Sequence, residues 1–191
     1  MASSFTILQI IGRMRPMSHL KIREEIFMPQ KDPLSLIGFQ KDAPAAPQDI
    51  DRLLAQNQVT AAYGLTLSRA QAISLLQSHH RALNRAGRLS FGGGILDPMI
   101  ALFHASPYLT KDNYAETLAE LVSLFYDLKN ETMDLVSDNA LLDWMKSAFD
   151  GGCAGSITLL AQTLDALSRH IRSGKPLDTF PLSSIQGGTQ F

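Results

Sequence analysis

Cysteine is nearly absent from this chain: Cys153 is the only one. A single thiol excludes an intrachain disulfide and fits a reducing compartment, so a cytoplasmic location is expected. No apolar run approaches the roughly 20 residues that a membrane-spanning helix needs. The run at residues 5–11 (FTILQII) has no basic stretch before it and no small-residue cleavage site after it, so it is not read as a secretory signal. A soluble protein without a membrane partner is expected. An excess of one charge is also missing. The net charge is −1, which calls for no strongly basic or acidic partner. Aromatic residues make up 7% and are not interleaved with basic ones, so no nucleic-acid partner is expected.

Proline is missing from residues 48–97 and 109–175. Long proline-free tracts with apolar residues at helical spacing favour helices. The pattern predicts an all-α fold, a bundle of about six helices with a glycine-rich turn between the second and third. The expected helices span about 49–58, 69–86, 97–105, 111–133, 138–149 and 155–172. Ser68 and Gln71 have capping-box spacing, and Gly87 stands where a left-handed terminator is wanted. Asp97-Pro98 reads as an N-cap followed by proline at the first helical position. Leu89 and Phe91 alternate like a short extended piece. Four prolines between 29 and 47 mark a connector, so residues 1–48 read as an arm, 49–172 as one helical domain and 173–191 as a loose tail unless Phe180 or Phe191 docks. The arm is weakly basic, and Met17 and Met28 are alternative starts to Met1.

Charge is unevenly distributed along this layout. Residues 52–111 carry a net +5 and residues 112–150 a net −7. Such segments either face each other across the fold or face two different partners. Within the first segment, Arg81 and Arg85 project together from one helix, and Arg88 follows its end. Beside the turn Gly92-Gly93-Gly94 they form a candidate anion site, because guanidinium forks match phosphate and carboxylate. The spacing matches neither a P-loop nor a dinucleotide fingerprint. The plainer role for these arginines is to offset the helix macrodipole.

Glu116, Glu120, Glu131 and Asp134 form a candidate Mg²⁺ site on the acidic helix, since Mg²⁺ takes oxygen ligands and bridges to phosphate. Glu131 and Asp134 (ETMD) have the ExxD spacing of all-α nucleotide pyrophosphohydrolases. Glu116 and Glu120 are ExxxE instead of that family's ExxE, and both pairs share one helix. The competing reading is a solvated polar face opposite an apolar stripe. His79 and His80 are adjacent, a spacing that does not chelate one metal from a helix, and read as partly buried and hydrogen-bonded. Cys153 in GGCAGS reads as a small buried residue, with a reactive thiol near a helix start as the alternative.

Several short motifs occur in order: NQVTAAYGLTLS (57–68), GRLSFGGGI (87–95), SPY (106–108), NYAETLAEL (113–121), FYDLKNE (125–131) and CAGS (153–156). Over about 57–172 the chain resembles an uncharacterised bacterial family, a domain of unknown function found mainly in Firmicutes. The resemblance implies a bacterial, non-secreted, mostly helical protein and supplies no reaction, substrate or cofactor. No complete catalytic constellation is present, so a binding protein is favoured over an enzyme. The leading expectation is a protein-interaction or accessory module without cofactor, whose partner is another protein or a second copy. Arg88, Tyr108 and Tyr114 are its candidate surface residues, because Arg and Tyr are favoured at binding hot spots. The alternative is a phosphate- or nucleotide-binding protein or Mg²⁺-dependent hydrolase that uses the arginines and the acidic helix.

Overall fold

The computed structural model describes residues 45–89 and 94–181. Among them are eight α-helices and no strand: α1 Pro47–Ala55, α2 Asn57–Thr60, α3 Arg69–Ala86, α4 Leu96–Phe103, α5 Tyr114–Glu131, α6 Asp138–Asp150, α7 Ile157–Gln162 and α8 Leu164–Arg172. Six of these reach eight residues, which gives the expected all-α bundle. Short-range chemistry sets several ends. Ser68 accepts from the Gln71 backbone N–H while the Gln71 side chain accepts from the Ser68 N–H, and the left-handed Gly87 (φ 66) closes α3. Ser137 caps α6 by accepting from the Ala140 N–H.

Other ends differ from the sequence pattern. The helix expected at 155–172 breaks at Thr163, whose hydroxyl donates to the Leu160 carbonyl at 2.7 Å and competes with the helical ladder. Ile95, not Asp97, stands at the start of α4. The chain turns at Gly94 (φ 57), and both Ile95 and Leu96 go into the core, which draws Asp97 into the first turn. The acidic helix α5 stops at Glu131, because Met133 (φ 52) and Asp134 (φ 58) are left-handed. Phe91, half of the expected extended piece, and Gly92 and Gly93 lie outside the described residues.

α5 is the central element. It packs along α3 and also touches α4, α6, α7 and α8. Its Leu118, Leu121, Val122, Phe125 and Leu128 are buried, together with Phe103 and Phe149 from α4 and α6. Each such side chain contributes roughly 1.5–3 kcal/mol on burial. The segment before α3 is held by polar side chains. Asn57 brackets Leu67, donating to its carbonyl and accepting from its N–H, both at 2.8 Å, and the Thr60 hydroxyl donates to the Leu65 carbonyl. After α8, a 3-10 turn at Leu177–Thr179 docks Phe180 against Trp144 and His170. No helix of the described residues is long and apolar enough to cross a membrane.

Candidate interaction site at the α5–α6 corner

The opposite charges of the two segments meet along α3 and α5. Arg85 places Nη2 2.9 Å from each carboxylate oxygen of Asp127 and 2.6 Å from the Ser123 hydroxyl. One turn further on, Arg88 donates from Nε to Asn130 at 2.9 Å and from Nη2 to Asp134 at 2.7 Å. Asn130 in turn donates to the Ala86 carbonyl near the end of α3. Arg81 stays apart, exposed, with its contact to Ser78 on its own helix. The three arginines therefore do not converge: two are bound to α5 and the third is local. Gly94 is placed near Arg88, since both line one cleft.

Beyond Glu131 the chain makes a tight corner. The N–H groups of Met133 and Asp134 donate to the Asn130 and Lys129 carbonyls, so the helix closes through two left-handed residues, neither of them glycine. That conformation costs an L-residue roughly 1–2 kcal/mol. Lys129 holds the corner from inside. Its buried Nζ donates to the Val136 carbonyl at 2.7 Å and lies 2.8 Å from Asp138 and 3.2 Å from Asp134. Arg88 beside Asp134, helped by Lys129 against partial desolvation, holds that carboxyl below its ordinary value.

The backbone conformation leaves Met133 62% and Leu135 61% exposed, with Leu89 50% exposed next to Arg88. A cleft of about 720 Å³ opens beside Leu89. Arg88, Leu89, Lys129, Asp97 and Asp138 line it, together with Phe125 and Tyr126. Tyr126 is fixed by a 2.9 Å hydrogen bond to His79 Nε2. Burial lowers the His79 pKa to about 4, with His80 and Arg52 acting in the same direction, and burial raises Tyr126 to about 12. Both groups are thus neutral near pH 7, and the lining carries two cations and two carboxylates.

The other expected site residues are dispersed. Glu131 approaches Arg172 of α8 at 3.9 Å, whereas its neighbour Asp127, one turn earlier and outside the expected set, faces Arg85 of α3, so the acids of α5 do not form one face. Asp134 sits in the corner, beyond the helix, and is bound by Arg88 and Lys129. Glu116 and Glu120 remain on α5 away from this corner. Among the described residues no group of three or more His, Cys, Asp or Glu side chains is placed to hold a metal ion.

Tyr114 is a correction. It is only 1% exposed and belongs to the core, and burial raises its hydroxyl pKa to about 12 against a smaller opposing effect of Thr60. Its position at the start of α5 faces inward once the turn at 110–113, closed by Asn113, sets the helix entry. Tyr108 is 38% exposed and packs edge-on against Phe149. Cys153 is fully buried, and burial raises its thiol pKa. Sequence reasoning missed Lys129, Met133, Leu135 and Asp138 as site residues. Without a glycine at 133 or 134, nothing in the local sequence marks the left-handed corner that exposes them.

The fold and corner define a helical protein with two exposed apolar side chains on a charge-paired turn. By sequence the chain belongs to a family described as a family of unknown function (DUF6323), matched over residues 52–177. No curated protein and no solved structure matches the chain.

Proposed function

We propose that the protein is an interaction module whose α5–α6 corner binds another protein. The observation that carries this reading is the exposure of Met133 and Leu135 at a turn whose residues 133 and 134 are left-handed. Exposed aliphatic side chains on a turn held by ion pairs match the arrangement of anchor residues at an interface. Rigidity matters because an ordered surface loses little entropy on binding. Lys129 and Arg88 supply that rigidity through their ion pairs.

The same ion pairs reduce support for a phosphate-binding or Mg²⁺-dependent alternative. Arg85 and Arg88 already have carboxylate partners, and an anion would have to displace them. The single free cysteine and the family resemblance favour a bacterial, cytoplasmic setting for the interaction.

Affinity capture with the Met133→Asp/Leu135→Asp double variant as comparator tests the reading, alongside light scattering for self-association. The expected result is a partner, or a dimer, retained by the wild type and lost by the variant while circular dichroism is unchanged. Identical capture profiles from two folded, monomeric proteins would overturn it.

A further inference from the structure

Thioethers and thiols are oxidised according to their exposure and, for thiols, their thiolate character. The chain has seven methionines and one cysteine. Met1, Met14, Met17 and Met28 lie outside the described residues. Of the other four sulfur-bearing residues, three are closed off: Met99, Met145 and Cys153 are each 0% exposed. Burial also raises the Cys153 thiol pKa, which favours the less reactive protonated form. Met133 is the exception, at 62% exposed. Its backbone is held at φ 52, with its N–H donating to the Asn130 carbonyl at 3.0 Å and the following Asp134 N–H donating to the Lys129 carbonyl at 3.1 Å. On its other side Thr132 is buried, and the Thr132 hydroxyl donates to the Leu128 carbonyl at 2.7 Å. A main chain tied on both sides keeps the thioether at the surface.

We propose that Met133 is a modification site, oxidised by peroxide to the sulfoxide in preference to the buried sulfurs, and that this removes an apolar anchor of the α5–α6 corner. In the step, the O–O bond of hydrogen peroxide breaks and an S–O bond forms. The sulfur gives up two electrons, and the second peroxide oxygen leaves as water. The product side chain is polar where the thioether was apolar. Because Met133 already stands in water, the fold bears no burial penalty for the added oxygen. The same oxygen on Met99 or Met145 would lie in the core. The change is therefore confined to the surface it alters, and Leu135 is left as the exposed aliphatic group of the turn. Two thiols reverse the step, as they pass to a disulfide while the oxygen leaves as water; methionine sulfoxide reduction is enzyme-catalysed. The effect on a partner rests on the corner being the binding surface, whereas the selectivity of oxidation does not.

The test treats the full chain with hydrogen peroxide and follows each methionine by tandem mass spectrometry of tryptic peptides. Residues 130–146 form one such peptide, which holds Met133 together with Met145 as an internal reference. Met133 is expected to oxidise at least about tenfold faster than Met145 and Met99, with circular dichroism unchanged. Unfolding in guanidinium chloride should remove the difference. Retention on a phenyl hydrophobic-interaction column reads the corner without any partner. Peroxide is expected to shorten wild-type retention more than that of Met133→Leu, which keeps every other methionine. A Met133 rate no faster than those of Met145 and Met99 in the folded chain, or equal retention shifts in the two proteins, would overturn the proposal. Capture that survives the Met133→Asp/Leu135→Asp substitutions would sink the corner reading alone, since the oxidation rates and retention shifts need no partner.

Discussion

Arg88 and Asp134 meet at 2.7 Å across 46 positions of sequence. The pair joins the end of α3 to the turn after α5, and Lys129 reaches the same carboxylate from the other side at 3.2 Å. One acidic residue thereby fixes the geometry of a corner on which two large apolar side chains stand exposed. The motifs GRLSFGGGI and FYDLKNE, separate in sequence, supply the residues that meet there: Arg88 from the first, and Lys129 and Asn130 from the second.

Lys129→Met should destabilise the fold by roughly 1–3 kcal/mol, because the Val136 carbonyl loses its buried donor and two carboxylates lose their shared cation. Chemical denaturation measures this. A variant as stable as the wild type would show that the corner does not depend on Lys129.

Met133→Gly separates folding from binding. Relief of the left-handed conformation at φ 52 is offset by the extra freedom of glycine in the unfolded chain, so stability should stay within about 1 kcal/mol of the wild type. Partner capture should nevertheless fall, because the exposed side chain is gone. Thermal melting and capture measured on one preparation decide the point.

Gly155→Ala should be costly and Gly174→Ala mild. Both glycines have positive φ, 80 and 78, but an added Cβ at 155 would lie 2.5 Å from the Tyr108 Cβ, whereas at 174 it meets open space. Backbone strain alone costs about 1 kcal/mol, so Gly155→Ala should exceed Gly174→Ala by at least about 1 kcal/mol. Equal losses would mean that Tyr108 moves aside freely. CAGS and SPY, two further motifs distant in sequence, touch at this contact.

Stability should fall as pH drops from 6.5 toward 4. The His79 pKa is lowered from 6.5 to about 4 in the fold. In that window the unfolded chain binds a proton that the native state does not, so the unfolded state gains. The full effect approaches about 3 kcal/mol once pH passes below the native value. Asp134 adds to the loss at lower pH. Its folded pKa lies below 3.8, so its contribution is present above that value and disappears as pH falls through the folded one. His79→Gln should flatten the first limb and leave the second, as read by denaturation at stepped pH.

Local signals reached far along this chain. The Ser68–Gln71 box and the Gly87 terminator act within a few residues, so composition and spacing reveal them. Proline-free apolar periodicity likewise marked α3, α5 and α6 within a few residues of their ends. The end of α5 was less legible. ETMDL continues the helical pattern in composition, and the left-handed turn at Met133 and Asp134 goes with the contact of Asp134 to Arg88, 46 positions away. Tyr114 did carry a sign of its burial: it stands four residues before Leu118 and seven before Leu121, on the stripe that α5 turns to the core.

The sequence by itself determined the helical class, the positions of the main caps and the separation of basic from acidic segments, because each depends on neighbours a few residues apart. Only the tertiary structure decided how those charges are used. Asp127 turns to Arg85, Asp134 to Arg88 and Lys129, and Glu131 to Arg172, since α5 lies between α3 and α8. Periodicity places these residues on a helix or at its end. Which neighbouring helix each one meets is fixed by the packing of the core.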